Sequence, residues 1–195
     1  NLGFGYRMLS DDKSNLFGVN VFFDNDFEAE HQRGSIGLEV KGAYLDLTVN
    51  SYYALTDSKN YKGTAEEVLS GQTINLASQI PYAPWANLNL QSYSWENVKA
   101  SSDTEGYTVS IESYLTPSLA LEVKNDYNDN AAVDDEFTYK LTYNYPPRGD
   151  GKSMQDGLSK LAFEKQNMEA KLKDKVKRDN NIVIEIQGSV IITSK

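Results

Sequence analysis

In residues 137–145 every second residue is aromatic or aliphatic and every intervening one is polar, and no other feature of the chain narrows its fold so far. Phe137, Tyr139, Leu141, Tyr143 and Tyr145 fall on one side, Thr138, Lys140, Thr142 and Asn144 on the other. A period of two is the side-chain period of a β-strand. The same alternation runs through residues 17–23, 35–40, 44–55 and 108–115, and turn-type residues separate nine such stretches in all. Each strand therefore has one apolar and one polar face. The fold is decided by the medium that the apolar faces meet.

The core available to such a chain is small. Its 195 residues suffice for one domain, but only 39% are hydrophobic, with 13 Tyr against 7 Phe and 2 Trp, a balance that suits a sheet with a polar inside better than a large dry core. A net charge of −9 excludes a nucleic-acid partner, since phosphate binding needs clustered Lys and Arg. Cysteine is absent, which removes disulfides, thiolate nucleophiles and Cys-based metal sites. His31 is the single histidine, so neither a Ser-His-Asp set nor a two-His metal motif can be assembled; beside Arg33 at a strand start it reads as a rim residue. Asp24 with Asp26, and Asp134 with Asp135, read as solvated acids rather than a catalytic dyad or a calcium site. We expect no enzyme, no catalytic residue, no metal and no cofactor. There is no apolar run long enough for a spanning helix and no basic, hydrophobic leader. A strand opens at Asn1, and upstream strands are expected to precede it.

Short connections at residues 10–14, 42–43, 81–84 and 116–118 alternate with long polar loops at 56–72, 96–106 and 128–136 over much of the chain. Transmembrane barrels have two rims that differ in this way. Parity within strands sharpens the comparison. Phe4, Tyr6, Met8, Phe17, Val19, Val21, Phe23, Ile36, Leu38, Val40, Leu45, Leu47, Val49, Val109, Ile111, Leu115, Leu119, Leu121 and Val123 share one face, with no charge among them. The opposite face carries Arg7, Asn20, Asp24, Glu39, Lys41, Asp46, Asn50, Glu112, Glu122, Lys124 and Lys140. A polar lumen accepts that mixture, whereas mid-depth exposure to lipid would cost ~2–4 kcal/mol for each Arg or Lys. Trp85, Trp95, Tyr114, Tyr143 and Tyr145 lie near strand ends, where interfacial girdles belong, although the two Trp fall on the polar parity. Alternation alone does not say which face is inside. A soluble sandwich or lipocalin-like binding protein with its apolar face inward stands as the alternative. Nine strands also cannot close a bacterial barrel in the usual way; either upstream strands complete it or residues 181–192 add one.

Residues 152–178 hold no Pro, one Gly and abundant Ala, Glu, Gln, Lys, Leu and Met. That composition predicts a helix with Ser153 as its N-cap, and Leu158, Leu161, Met168, Leu172 and Val176 give it a narrow apolar stripe. The β-branched run that follows, with Asn180, Asn181, Ile182 and Val183 at its start, predicts an extended segment, either a tenth strand or a linker.

Taken together in order, FGVNVFFDNDF and HQRGSIGLEV (residues 17–40), YLDLTVNSYYALT (44–56), the Pro81 and Pro84 turn, YLTP (114–117) and KRDNNIVIEI (177–186) resemble the intimin and invasin translocators, the inverse autotransporters of Gram-negative bacteria. The resemblance covers nearly the whole chain. It implies an all-β fold, a transmembrane antiparallel up-and-down β-barrel of twelve strands, about nine of them here with Leu2 opening roughly the fourth, followed by a pore-threading helix and a linker. The implied divisions are a translocator barrel over 1–147, a threading helix over 148–179 and a linker over 180–195 toward an exported passenger. Its implied role is an outer-membrane anchor and translocator that displays a C-terminal adhesin for cell adhesion. The implied partners are outer-membrane lipid, the barrel assembly machinery and a receptor met only through the passenger. Arg7, Asn20, Asp24, Glu39, Lys41, Asn50, Glu112, Glu122, Lys124 and Lys140 would face the lumen. Several of them would pair with charges on the helix, among Glu164, Lys165, Lys171 and Asp174. A small-solute porin, with the helix outside the pore, is the rival reading.

Overall fold

The computed structural model describes residues 1–129, 135–147, 152–186 and 189–192. Nine strands form one antiparallel sheet: β1 (Leu2–Leu9), β2 (Leu16–Asp26), β3 (His31–Lys41), β4 (Leu45–Ala54), β7 (Gly71–Ile80), β8 (Ala83–Trp95), β9 (Thr104–Tyr114), β10 (Leu119–Asn128) and β11 (Glu136–Tyr143). Every neighbour in the order β1-β2-β3-β4-β7-β8-β9-β10-β11 is also the next strand of this set along the chain, so the sheet is a simple meander. It remains open between the edges β1 and β11.

The sheet wears its apolar face outward. Along β3, Ile36, Leu38 and Val40 are exposed while Arg33, Glu39 and Lys41 are buried; along β2, Phe17, Val19, Val21 and Phe23 are exposed while Asn20 and Asp24 are buried. Leu38 keeps 56% of its surface and Glu39 only 3%. Apolar side chains of this size are normally interior, and no second layer covers them among the described residues. An apolar face of this breadth marks a surface made for lipid or for another protein, and the alternative with the apolar face inward is not the one observed. No described helix is long and apolar enough to cross a membrane; here the strands are the elements of sufficient length.

Two segments differ from their sequence-based expectation. The stretch 56–72, expected as a loop, contains β5 (Lys59–Tyr61) and β6 (Thr64–Val68), a hairpin closed by Lys62 and Gly63 at φ 50° and 87°. Two successive positive φ values give the turn that matches strand twist. The segment after residue 182, open between strand and linker, forms β12 (Val183–Ile186) and β13 (Ser189–Ile192), and the four short strands make a second sheet in the order β13-β12-β6-β5.

The helix expected over 153–178 is not formed. Two brief turns stand in its place, a 3-10 turn at Met154–Asp156 and α1 (Met168–Lys171). Ser153 does cap, but it caps the 3-10 turn, its N–H reaching Asp156 Oδ2 at 2.8 Å, and Gly157 at φ 75° ends it. Between and after these turns the backbone bonds to the polar face of the large sheet. Helix propensity amounts to tenths of a kcal/mol per residue, and a wall that offers partners to the main chain outweighs it.

Candidate functional site: a chain threaded across the polar face

The short turns after β1, β3 and β7 lie on one rim of the sheet, and Asp26, His31, Ala54, Gly71 and Trp95 lie on the other. Residues 157–186 connect the two. They begin along the short-turn rim. The Trp85 indole N–H donates to the Gly157 carbonyl at 2.8 Å. Ser159 N–H donates to the Tyr82 carbonyl at 2.7 Å, and Tyr82 N–H to the Ala162 carbonyl at 2.8 Å. The Gln79 carboxamide meets Glu164 twice, donating to its carbonyl and accepting from its N–H, both at 3.0 Å. Gln166 N–H reaches the Ala43 carbonyl at 3.2 Å, and Lys13 pairs with Glu169 at 2.6 Å. In this rim the bond from Glu169 raises the pKa of Lys13, and the hydroxyls of Ser10 and Ser14 hold Asp12 down at about 2.

The chain then climbs. Lys171 pairs with Asp46 at 2.6 Å. Arg7 donates through Nε and Nη2 to Glu39 and aims Nη1 at the carbonyls of Lys171, Leu172 and Asp174, at 3.3, 2.9 and 2.6 Å. Lys41 bridges Glu39 at 3.6 Å and Asp174 at 3.8 Å. Higher up, Asn50 donates to the Lys177 carbonyl at 3.1 Å and Lys177 reaches Glu122 at 3.7 Å. At the top, Asp24 receives both Arg33, at 2.9 Å, and Arg178 from the threaded chain. Arg33 also donates to the Asp179 carbonyl at 2.7 Å, Asp179 N–H donates to the Tyr52 hydroxyl at 2.8 Å, and both guanidiniums sit over the Tyr52 ring. These groups are nearly or fully buried, so the pairing and cation–π contacts are what offset their desolvation.

Room for this was made by glycine. A Cβ on Gly37 would come within 2.5 Å of the amide oxygens of Asn20 and Asn50, so a larger residue at this polar-face position would displace the two asparagines. Charge favours the fit as well. Residues 152–178 hold eight of the 19 basic and four of the 28 acidic side chains, so they carry +4 and the rest of the chain −13.

Of the expected residues, Arg7, Asp24, Glu39, Lys41, Asn50, Glu122, Lys171 and Asp174 come together here, and Asn20 is buried beside Gly37. Others do not join. Glu112 is half-buried on β9, Lys124 turns to Asp126 at 3.9 Å and Lys140 is exposed on the edge strand β11. Glu164 pairs within its own segment, to Lys152 at 3.0 Å, while Leu158, Leu161 and Lys165 are exposed. Asn180 takes Arg178 on its side-chain oxygen at 3.1 Å and Asn1 on its carbonyl at 3.2 Å; Asn181 is half-buried. Ile182 and Val183 enter apolar clusters rather than a free linker. Sequence reasoning missed Arg33, Tyr52, Gln79 and Gln91, the last donating to the Asp179 carboxylate at 3.4 Å, as thread-binding groups, and Arg178 as the thread's own partner of Asp24. Parity carried the signal for Arg33, which shares its β3 face with Glu39 and Lys41. His31, expected at a rim, is there, buried against Glu66 at 2.6 Å. Among the described residues no group of His, Asp and Glu could hold a metal ion.

Comparison with known proteins places this arrangement. A solved chain from work on the in-meso crystallization of membrane proteins shares the fold, with a TM-score of 0.76 over 95% of this chain and 79% of that one at 22% identity. Intimin of Escherichia coli O157:H7 is 27% identical over 99% of this chain, and invasin of Yersinia enterocolitica 25% over 96%. The inverse autotransporter adhesin YeeJ of Escherichia coli K12 is 23% identical over 98%. The chain spans 21%, 23% and 8% of those three relatives. The family described as inverse autotransporter, beta-domain matches residues 1–180, and the chain belongs to that family.

Proposed function

We propose that this β-domain, seated in the outer membrane of a Gram-negative bacterium, anchors a C-terminal adhesin passenger and is the conduit through which that passenger reaches the cell surface. One observation carries the reading: residues 157–186 run from the short-turn rim to the opposite rim along the polar face, while the other face of the same sheet is apolar and exposed. The apolar face meets lipid, the polar face lines the pore, residues 152–179 plug it, and the chain beyond 180 leads outward. The edges β1 and β11 close through further strands, because open edges in lipid leave backbone groups unpaired at several kcal/mol each. A small-solute porin would leave its polar face free for solutes, and the threaded chain speaks against that rival.

The test uses the full-length gene product with a protease site after Lys195. Extraction that requires detergent, with the site cut on intact cells, is the expected result. Release without detergent, or a site protected until cells are lysed, overturns the reading.

A further inference from the structure

Both buried apolar clusters of the described residues lie where the chain emerges. One joins Tyr52, Leu69, Tyr93 and Trp95 of the large sheet and its rim to Val183 and Val190. The other joins Val68 to Ile182 and Ile184, with Ala54 and Ile186 against it. Glu185 sits on the same short strand with none of its surface exposed. An isolated carboxylate in such a place is strongly disfavoured. Among the described residues no Lys or Arg pairs with it: the nearby Lys99 ammonium pairs with Glu67 instead, at 3.2 Å. What answers it is main chain. Three consecutive N–H groups of the β8–β9 loop converge on it, Val98 on Oε2 at 2.7 Å, Lys99 on both oxygens at 3.0 and 3.2 Å, and Ala100 on Oε1 at 2.8 Å. Asn97 braces the same loop, donating to the Ser102 carbonyl at 2.7 Å and the Thr104 hydroxyl at 3.0 Å. Successive N–H groups pointing into one concavity form an anion-binding nest, and bonds to an ionised acceptor are the strong kind.

We propose that the backbone of residues 98–100 is a carboxylate-binding site whose ligand is Glu185 of the emerged chain, and that filling it folds the β8–β9 loop over the exit and holds the chain in the exported position. The proposal rests on the threading reading above. Before Val183–Ile186 has passed the pore the nest has no carboxylate. Once β12 pairs with β6, in the register Glu185 opposite Glu67, Glu185 is delivered to it. Backing out would require stripping three charge-assisted N–H donors from the carboxylate and re-exposing both apolar clusters. Nothing in the nest reads the rest of the glutamate, so a small free carboxylate of formate size fits the same donors once the side chain is removed.

The experiment follows tryptic cleavage at Lys99 in the full-length protein on intact cells, with the protease site after Lys195 as an independent report of export. In the unaltered protein Lys99 resists. Glu185→Ala is expected to raise its cleavage rate about tenfold or more, the loss of an ordered loop worth at least 1.4 kcal/mol. Glu185→Gln, which keeps the shape but not the charge, should fall between. Formate at hundreds of millimolar should restore resistance in Glu185→Ala, with chloride at equal ionic strength as the control. Equal cleavage in Glu185→Ala and the unaltered protein, with the terminal site still cut, overturns the proposal and leaves the anchor reading intact. Faster cleavage without formate rescue also overturns it, since the loop would then depend on packing and not on a carboxylate. A terminal site that is never cut in the unaltered protein sinks the threading reading itself.

Discussion

Asp24 is the residue on which the upper crossing turns. It has no exposed surface, and both Arg33 from the wall and Arg178 from the thread converge on its Oδ2. Two guanidiniums and one carboxylate make an unequal set, balanced by the Tyr52 ring under both cations and the Phe22 ring under Arg178. Removing the carboxylate leaves both cations buried without their directly bound anion, and breaking a buried pair in this way costs about 3–5 kcal/mol. Asp24→Ala should therefore lower the temperature at which the folded species disappears on semi-native electrophoresis by several degrees, and loosen residues 176–180 before the strands. Lys140→Ala, at an exposed site, should leave that temperature unchanged. Equal behaviour of the two variants would mean that the buried cluster holds nothing. Individual partners of this kind were readable only by parity. Glu39 and Lys41 follow from the alternation of β3, but the assignment of Arg33 to the Asp179 carbonyl depends on where the thread crosses, which no local pattern encodes.

At the scale of elements, the strands of the large sheet were legible because a strand with one lipid-like and one polar face must alternate at every residue, and no register slip is tolerated when the two media differ so sharply. The hairpin β5–β6 was hidden by its polarity, although Lys62-Gly63 at its tip is a fair turn signal. The thread was misread for a physical reason. Its Ala, Lys, Glu and Leu content favours helix in water, but along the wall its carbonyls and N–H groups meet Arg7, Gln79, Asn50 and Arg33, and an extended main chain presents more such groups to partners than a helix does. The difference is measurable. Spin labels at Lys173 and Asn180, both exposed, should lie ~20 Å or more apart along extended backbone and ~10 Å apart along a helix. A distance near the shorter value would return the segment to the helix that composition suggests.

At the scale of the molecule, the arrangement inverts a soluble protein. Apolar side chains face outward, charges face inward, and the buried apolar clusters gather at one rim around the departing chain. Residues 152–178 carry +4 and the rest of the chain −13, so attraction and the ladder of contacts from Asp46 to Asp24 hold the thread in place. The central claim is that this thread fills the pore. Single-channel conductance of the full-length protein in planar bilayers, with and without residues 152–178, tests it most directly. A nearly closed channel that opens on deletion is the predicted result; a pore that conducts equally well with the segment present would contradict the account.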